Sequence, residues 1–103
     1  MILASILSLL AAKAEARDFF EWQDEVTRLA QTAIEKEDAK ALHQLFLMSL
    51  DTDGAMVDTL GEAYFDIREK KPKFFRKVLG KENKKVRKAV EWNLIAGHGE
   101  SAD

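Results

Sequence analysis

The chain has no cysteine, one proline and five glycines among its 103 residues. Without cysteine it has no disulfide framework, no thiol nucleophile and no zinc site of the cysteine type. Proline and glycine are the residues that most often interrupt regular structure, so their scarcity leaves room for long elements. Good helix formers such as alanine, leucine, lysine and glutamate outnumber β-branched residues, which favours helix over strand. These features predict a single all-α domain.

The chain also lacks an apolar stretch of membrane-spanning length. The uncharged apolar run at residues 2–12 is too short to cross a bilayer as a helix. Residues 12–16 read Ala-Lys-Ala-Glu-Ala, which offers small residues on the upstream side of a cleavage site after Ala14 or Ala16. We therefore predict a signal peptide over residues 1–16 and a periplasmic or secreted mature protein. Because no basic residue precedes the run, an N-terminal core helix in a cytoplasmic protein is the alternative.

From residue 17 to residue 97 the apolar residues recur at helical spacing and divide into five segments. Pro72 is expected to open the fourth helix, since proline is tolerated in a first turn. Gly80 is expected to end the fourth helix, and Gly97 and Gly99 are expected to end the fifth, leaving residues 98–103 as a flexible tail. Suitable N-caps for the other helices are Asp18, Asp38, Asp53 and Asn83. The prediction is a bundle of about five antiparallel helices, with short connections.

The apolar faces of these helices predict the core. Phe20, Ala30 and Ile34 widen the stripe of the first helix. The residues expected to face inward are Phe19, Trp22, Val26, Leu29, Ala33, Leu42, Leu45, Phe46, Ser49, Leu50, Met56, Val57, Leu60, Tyr64, Ile67, Phe74, Phe75, Val78, Leu79, Val86, Ala89, Val90, Asn93 and Leu94. Trp92 lies off the inward face of the fifth helix and is a candidate anchor for a partner.

A pattern recurs at an offset of 33 residues. Leu42, Leu45, Phe46, Met56 and Val57 correspond in this way to Phe75, Val78, Leu79, Ala89 and Val90. Residues 86–94, which read Val-Arg-Lys-Ala-Val-Glu-Trp-Asn-Leu, also look like the second helix of a HEAT repeat. Over residues 42–96 the chain thus resembles HEAT/armadillo-like helical hairpins. The resemblance implies two stacked hairpins, with the first helix as a cap because a stable solenoid needs about three units.

No grouping of residues predicts an active site. His43 and His98 lie in different segments and have no second ligand at metal-binding spacing. The chain has no glycine-rich phosphate loop. Its serines lie in the leader, on the predicted inward face or in the tail, so none is a supported nucleophile. We expect no catalytic residue, no metal and no cofactor, and hence no enzyme.

The distribution of charge is the uncommon feature. Residues 68–88 hold eleven basic and two acidic residues, whereas residues 15–66 hold thirteen acidic and four basic ones. Three interpretations stay open: a solvated face, a surface for an acidic protein or anionic surface (self-association with the acidic half included), and a nucleic-acid surface. The second fits an exported binding or scaffold module, and nucleic acid is the alternative. The residues proposed to contact a partner are Arg68, Lys70, Lys71, Lys73, Lys77, Lys84, Lys85, Lys88 and Trp92.

Overall fold

The computed structural model describes residues 2–52 and 54–98, and the side chains of residues 19–52 and 54–97. The elements are α1 (Ile2–Lys36), α2 (Ala39–Met48), a 3₁₀ turn (Ser49–Asp51), α3 (Ala55–Lys70), α4 (Pro72–Gly80) and α5 (Lys84–His98). The described ranges hold five α-helices and no strand, which confirms the predicted small all-α bundle. Within these ranges no helix combines the length and the apolarity needed to cross a membrane.

Three of the predicted helix starts are confirmed. The Asp38 carboxylate accepts hydrogen bonds from the backbone N–H groups of Lys40 and Ala41, at 3.0 and 3.2 Å. The Asn83 side-chain oxygen accepts from the backbone N–H of Val86 at 2.9 Å, and Pro72 is the first residue of α4. The Asp38 and Asn83 side chains satisfy N–H groups that have no partner inside the helix. Asp53, which is also a predicted cap, lies outside the described residues.

The first helix begins well before its predicted cap. α1 is continuous from Ile2 to Lys36, so the prediction that Asp18 caps its start is wrong. The alanine-rich residues 11–16 are strong helix formers and contain neither glycine nor proline, so nothing there interrupts the helix. The predicted signal peptide over residues 1–16 concerns side chains outside the described ones and stays a prediction. The same holds for the division at residue 17 and for the tail, since residues 99–103 also lie outside.

The core lies where α1, α2, α3, α4 and α5 converge. Its centre is a cluster of three fully buried rings, Phe46, Tyr64 and Phe75, whose centroids lie 5.4 to 6.3 Å apart. The other buried apolar residues are Val26, Leu29, Ala33, Ala41, Leu42, Leu45, Leu60, Ile67, Val78, Val86, Val90 and Leu94. Trp22 packs partly buried against them. Most of the predicted inward faces are therefore confirmed.

Two predicted core residues are exposed instead. Leu50 keeps 42% of its surface accessible because the chain passes from α-helix to 3₁₀ turn at Ser49, which changes the direction of the following side chains. Phe20 is 64% exposed, so the apolar stripe of α1 is narrower than predicted on that side. Its ring contacts Phe19 edge-on, with centroids 6.0 Å apart.

Two glycines bring α3 and α5 into close contact. A Cβ atom on Gly61 would lie 2.6 Å from the Asn93 carbonyl oxygen, and one on Gly97 would lie 2.5 Å from the Val57 carbonyl oxygen. Gly97 is the residue before His98, with which α5 ends, and Gly99, the other residue predicted to stop the helix, lies outside the described residues. At Gly97 the backbone of α3 occupies the space that a side chain would need. Gly80 is the last residue of α4 and does not adopt the left-handed conformation that a glycine stop uses.

Candidate functional site

The predicted basic residues lie on three elements. Arg68 and Lys70 end α3, Lys71 joins α3 to α4, and the rest follow on α4 and α5. Lys70 forms an ion pair with Asp66 and Lys71 one with Glu37, each at 3.2 Å. The Arg68 guanidinium lies 5.9 Å from the centre of the Phe65 ring. Arg68, Lys70 and Lys71 therefore already have partners within the protein.

The lysines of α4 and α5 differ from Lys70 and Lys71 in their pairing. They are exposed, and they form no ion pair with any carboxylate in the part of the chain that the structure describes. The residues concerned are Lys73, Lys77, Lys84, Lys85 and Lys88. Because no described carboxylate neutralises them, their charge is available to a partner.

One row of exposed residues on α5 combines charge with apolar surface. Lys85, Lys88, Trp92 and Ile95 follow at spacings of three, four and three residues, which places them on one face of the helix. Trp92 is 61% exposed and Ile95 is 51% exposed. A cleft of about 390 Å³ adjoins the Trp92 ring, with Val57, Asp58 and Ala96 among its walls. We call these four residues the α5 outer stripe.

A second accessible site lies between α2 and α4. A cleft of about 370 Å³ is lined by Ala39, Lys40 and His43 from α2, by Lys77 and Val78 from α4, and by Lys81 and Glu82 from the turn after α4. We call it the α2–α4 cleft. Three ammonium groups and one imidazole share it with a single carboxylate.

Glu82 and His43 form the polar centre of this cleft. The Glu82 side chain is only 8% exposed, and its carboxylate lies 2.5 Å from Nδ1 of His43, whose side chain is 50% exposed. An ionised carboxylate can only accept hydrogen bonds, so Nδ1 carries the proton. Arg87 donates to the backbone carbonyl of Glu82 at 2.6 Å and steadies the turn. The pair therefore holds the imidazole in one orientation, and Nε2 forms no hydrogen bond with any described residue.

Sequence reasoning missed this pair. His43 and Glu82 are 39 positions apart in the sequence, whereas a partner for a histidine can be predicted from spacing only within one helix. The available signal was Glu82 itself, one of two acidic residues within the basic segment 68–88. A lone carboxylate among so many cations indicates a specific partner, although it does not identify His43.

A third polar group belongs to the core. The Tyr64 hydroxyl donates to the Leu45 carbonyl oxygen and contacts the Ser49 hydroxyl, each at 2.5 Å. Burial raises the pKa of Tyr64 above its ordinary value, although the hydrogen bond from Ser49 acts in the opposite direction. The phenol therefore stays protonated, and its hydrogen bonds link α2, the 3₁₀ turn and α3.

The described residues contain no group of three or more side chains of the metal-binding types placed to hold a metal ion. The molecule is thus a small helical bundle with two accessible cationic sites, one on α5 and one between α2 and α4. No family model matches the chain, and neither the curated proteins nor the solved structures yield a match.

Proposed function

We propose that the chain is a non-enzymatic binding module whose α5 outer stripe engages an acidic protein partner. The observation that carries the proposal is Trp92, a large ring 61% exposed on the same helix face as Lys85 and Lys88. Tryptophan is enriched among the residues that dominate binding energy, and a polar rim around such an anchor excludes water. Lysines on one side of the ring select a partner of negative charge.

Nucleic acid is the second candidate, favoured by the unpaired lysines of α4 and α5. Stacking of bases needs accessible aromatic faces near the cations. Phe75 is fully buried and Phe74 packs partly buried against the core, which leaves Trp92 as the exposed aromatic ring of α5 on which a base could stack. Trp92 and Ile95 form an apolar end to the stripe, which suits a protein interface better.

The same proposal includes the architecture that presents the stripe. We infer that the hairpins α2/α3 and α4/α5 are HEAT-like units, with α5 as the second helix of the last unit. Two observations support this: α2 packs against α4 while α3 packs most extensively against α5, and the equivalent residues Leu42 and Phe75 are both fully buried. Within each unit the two helices make few contacts with each other, so the units are held together mainly by the packing between them. In such a stack the outer face of the last helix stays open to a partner.

We further propose that the protein is exported through cleavage after Ala14 or Ala16. The apolar run at residues 2–12 and the small residues that follow it support this. N-terminal sequencing of the protein purified from its own cell tests it. A mature chain that starts at Glu15 or Arg17 is expected, and a chain that retains residues 1–16 would contradict export.

Site-specific photo-crosslinking tests the binding proposal. A benzoyl-phenylalanine replaces Trp92 in the full chain, and the protein is irradiated in its own cell. We expect a discrete protein adduct that falls at least about fivefold with Lys85→Glu and Lys88→Glu, because charge reversal opposes an acidic partner. The matched control is the same photo-residue at Glu35, which is exposed on α1 and should give no such adduct.

Two further comparisons decide the outcome. Lys36→Glu, on the exposed end of α1, also reverses a charge and should leave the adduct unchanged. Equal adducts from positions 92 and 35 would contradict the proposal, as would an adduct insensitive to the α5 substitutions. Binding of generic duplex DNA or RNA that weakens steeply with salt would favour the second candidate instead.

A further inference from the structure

The α2–α4 cleft concentrates positive charge around a fixed imidazole. Lys40, Lys77 and Lys81 are exposed and line it, and no carboxylate among the described residues pairs with them. Glu82 is the cleft's single acid, and it is engaged with His43. The cleft therefore holds at least two positive charges in excess of its negative charge.

The buried carboxylate orients the histidine for a partner on its other side. Burying an ionised carboxylate is costly unless it is paired and hydrogen-bonded. His43 meets that need through Nδ1, and its half-exposed ring leaves Nε2 for a second partner. In its protonated form the ring donates one hydrogen bond to Glu82 and a second one from Nε2.

We propose that the α2–α4 cleft binds the phosphate group of a phosphate monoester. The ammonium groups of Lys40, Lys77 and Lys81 would surround the phosphate oxygens, and Nε2–H of His43 would donate to one of them. A phosphate monoester carries close to two negative charges at neutral pH, which matches the excess charge of the cleft. This site uses none of the residues of the α5 outer stripe and does not depend on the function proposed for it.

The size and walls of the cleft favour a monoester over a simple inorganic ion. Its volume of about 370 Å³ lies within the range of about 300–1,000 Å³ typical of small-molecule sites. Ala39 and Val78 give it an apolar wall, against which the organic part of the ligand can pack. A monoester with an apolar group should therefore bind more tightly than inorganic phosphate.

Nuclear magnetic resonance of the histidine side chains tests the site. The ¹⁵N-labelled full chain is titrated with inorganic phosphate, phenyl phosphate or a phosphoserine peptide, with ionic strength held constant by sodium chloride. We expect a saturable shift of the His43 Nε2 resonance, assigned by its loss in His43→Gln. Phenyl phosphate and the peptide carry the same group, and the tighter of the two shows whether the natural source is a small molecule or a phosphorylated side chain.

Two charge-matched variants decide the outcome. Lys40→Gln with Lys77→Gln should weaken phenyl phosphate binding at least about tenfold, since two charge-assisted contacts are lost. Lys73→Gln with Lys84→Gln removes the same charge outside the cleft and should change it less than about twofold. Circular dichroism melting confirms that both variants fold. An equal effect of the two pairs, or a shift that grows linearly without saturation, would overturn the site.

Discussion

Two pairs of helices pack in contrasting ways: α3 and α5 touch through their backbones at Gly61 and Gly97 (the α3–α5 crossing), whereas α2 and α4 border the α2–α4 cleft. At the crossing, Gly61 and Gly97 allow the two backbones to touch, with the Gly61 Cα atom 3.1 Å from the place a Cβ on Gly97 would occupy. At the cleft, the side chains of α2, of α4 and of the turn after α4 surround about 370 Å³ of accessible space. Of these two regions, the cleft is the one whose lysines can meet a ligand.

The polar groups of the two regions also differ in whether they have partners within the protein. Beside the crossing, the fully buried Asn93 donates to the Ala89 carbonyl at 2.7 Å and accepts from Thr52 at 3.3 Å. In the cleft, Lys40, Lys77 and Lys81 have no protein partner among the described residues. Buried polar groups with partners stabilise a fold, whereas exposed ammonium groups are solvated and can exchange water for a ligand.

The largest expected effect is at the crossing. Gly61→Ala places a methyl group 2.6 Å from the Asn93 carbonyl oxygen and 2.9 Å from the Gly97 Cα atom, so the two helices must separate. Because both neighbours are backbone atoms, no rotamer change can relieve the contact. We expect a loss of about 3 kcal/mol in the free energy of unfolding, measured by urea denaturation. A loss below about 1 kcal/mol would show that the helices are not held this close.

Gly80→Ala is the matched control for that substitution. A Cβ at position 80 meets nothing within 4 Å, and Gly80 is the last residue of α4 with no left-handed backbone. Alanine should therefore stabilise the protein by about 0.5 kcal/mol through its better helix propensity. A loss of stability with Gly61→Ala and a gain with Gly80→Ala would show that the loss at Gly61 comes from the backbone contact and not from helix propensity.

These glycines also show how much of the fold can be predicted from the sequence. The number of helices, Pro72 at the start of α4 and most of the inward faces follow from periodicity and capping, which are local properties. The sequence predicts that Gly97 and Gly99 end α5, because glycine near the end of an apolar pattern is typical of a stop. The close contact of Gly97 with the backbone of α3, about 40 residues earlier in the chain, is a tertiary feature that a single sequence does not indicate.

The candidate sites likewise have one part that the sequence predicts and another that depends on tertiary packing. The exposed lysines of residues 68–88 and Trp92 could be named from composition and helical spacing. Which of them stay unpaired could not, because the ion pair of Lys71 with Glu37 joins residues 34 positions apart. The pairing of His43 with Glu82 is likewise a product of tertiary packing, so the α2–α4 cleft could not be predicted.

The second effect concerns the core hydrogen bonds between α2 and α3. Tyr64→Phe keeps the ring contacts with Phe46 and Phe75 but removes the hydroxyl that serves Leu45 and Ser49. Leaving those buried groups without a partner should cost about 2 kcal/mol. In a thermal melt the midpoint falls by about 10 °C. Adding Ser49→Ala should then cost little more, and a fully additive loss would contradict a shared network.

A smaller effect of the Tyr64 hydroxyl is a dependence of stability on pH. The pKa of Tyr64 is raised in the folded state mainly by burial, from an ordinary value of 10.0. Above that value the unfolded chain releases the phenol proton while the folded chain retains it, so stability falls as the pH rises. Between pH 10 and 11 we expect a loss of about 1 kcal/mol, which Tyr64→Phe should lack. Equal losses in both proteins would show that other groups cause it.

The smallest expected effect is in the cleft, and its sign matters more than its size. If the α2–α4 cleft keeps its cations for a ligand, their mutual repulsion costs stability in the free protein, as at other functional sites. Lys40→Gln with Lys77→Gln should then raise the free energy of unfolding by about 0.3 kcal/mol at low ionic strength. The gain should disappear at about 1 M salt, where the repulsion is screened. A loss of more than about 1 kcal/mol would mean that the lysine stems support the packing of α2 against α4. In that case the cleft would be part of the framework, as the crossing is, and its charge would need no ligand to explain it.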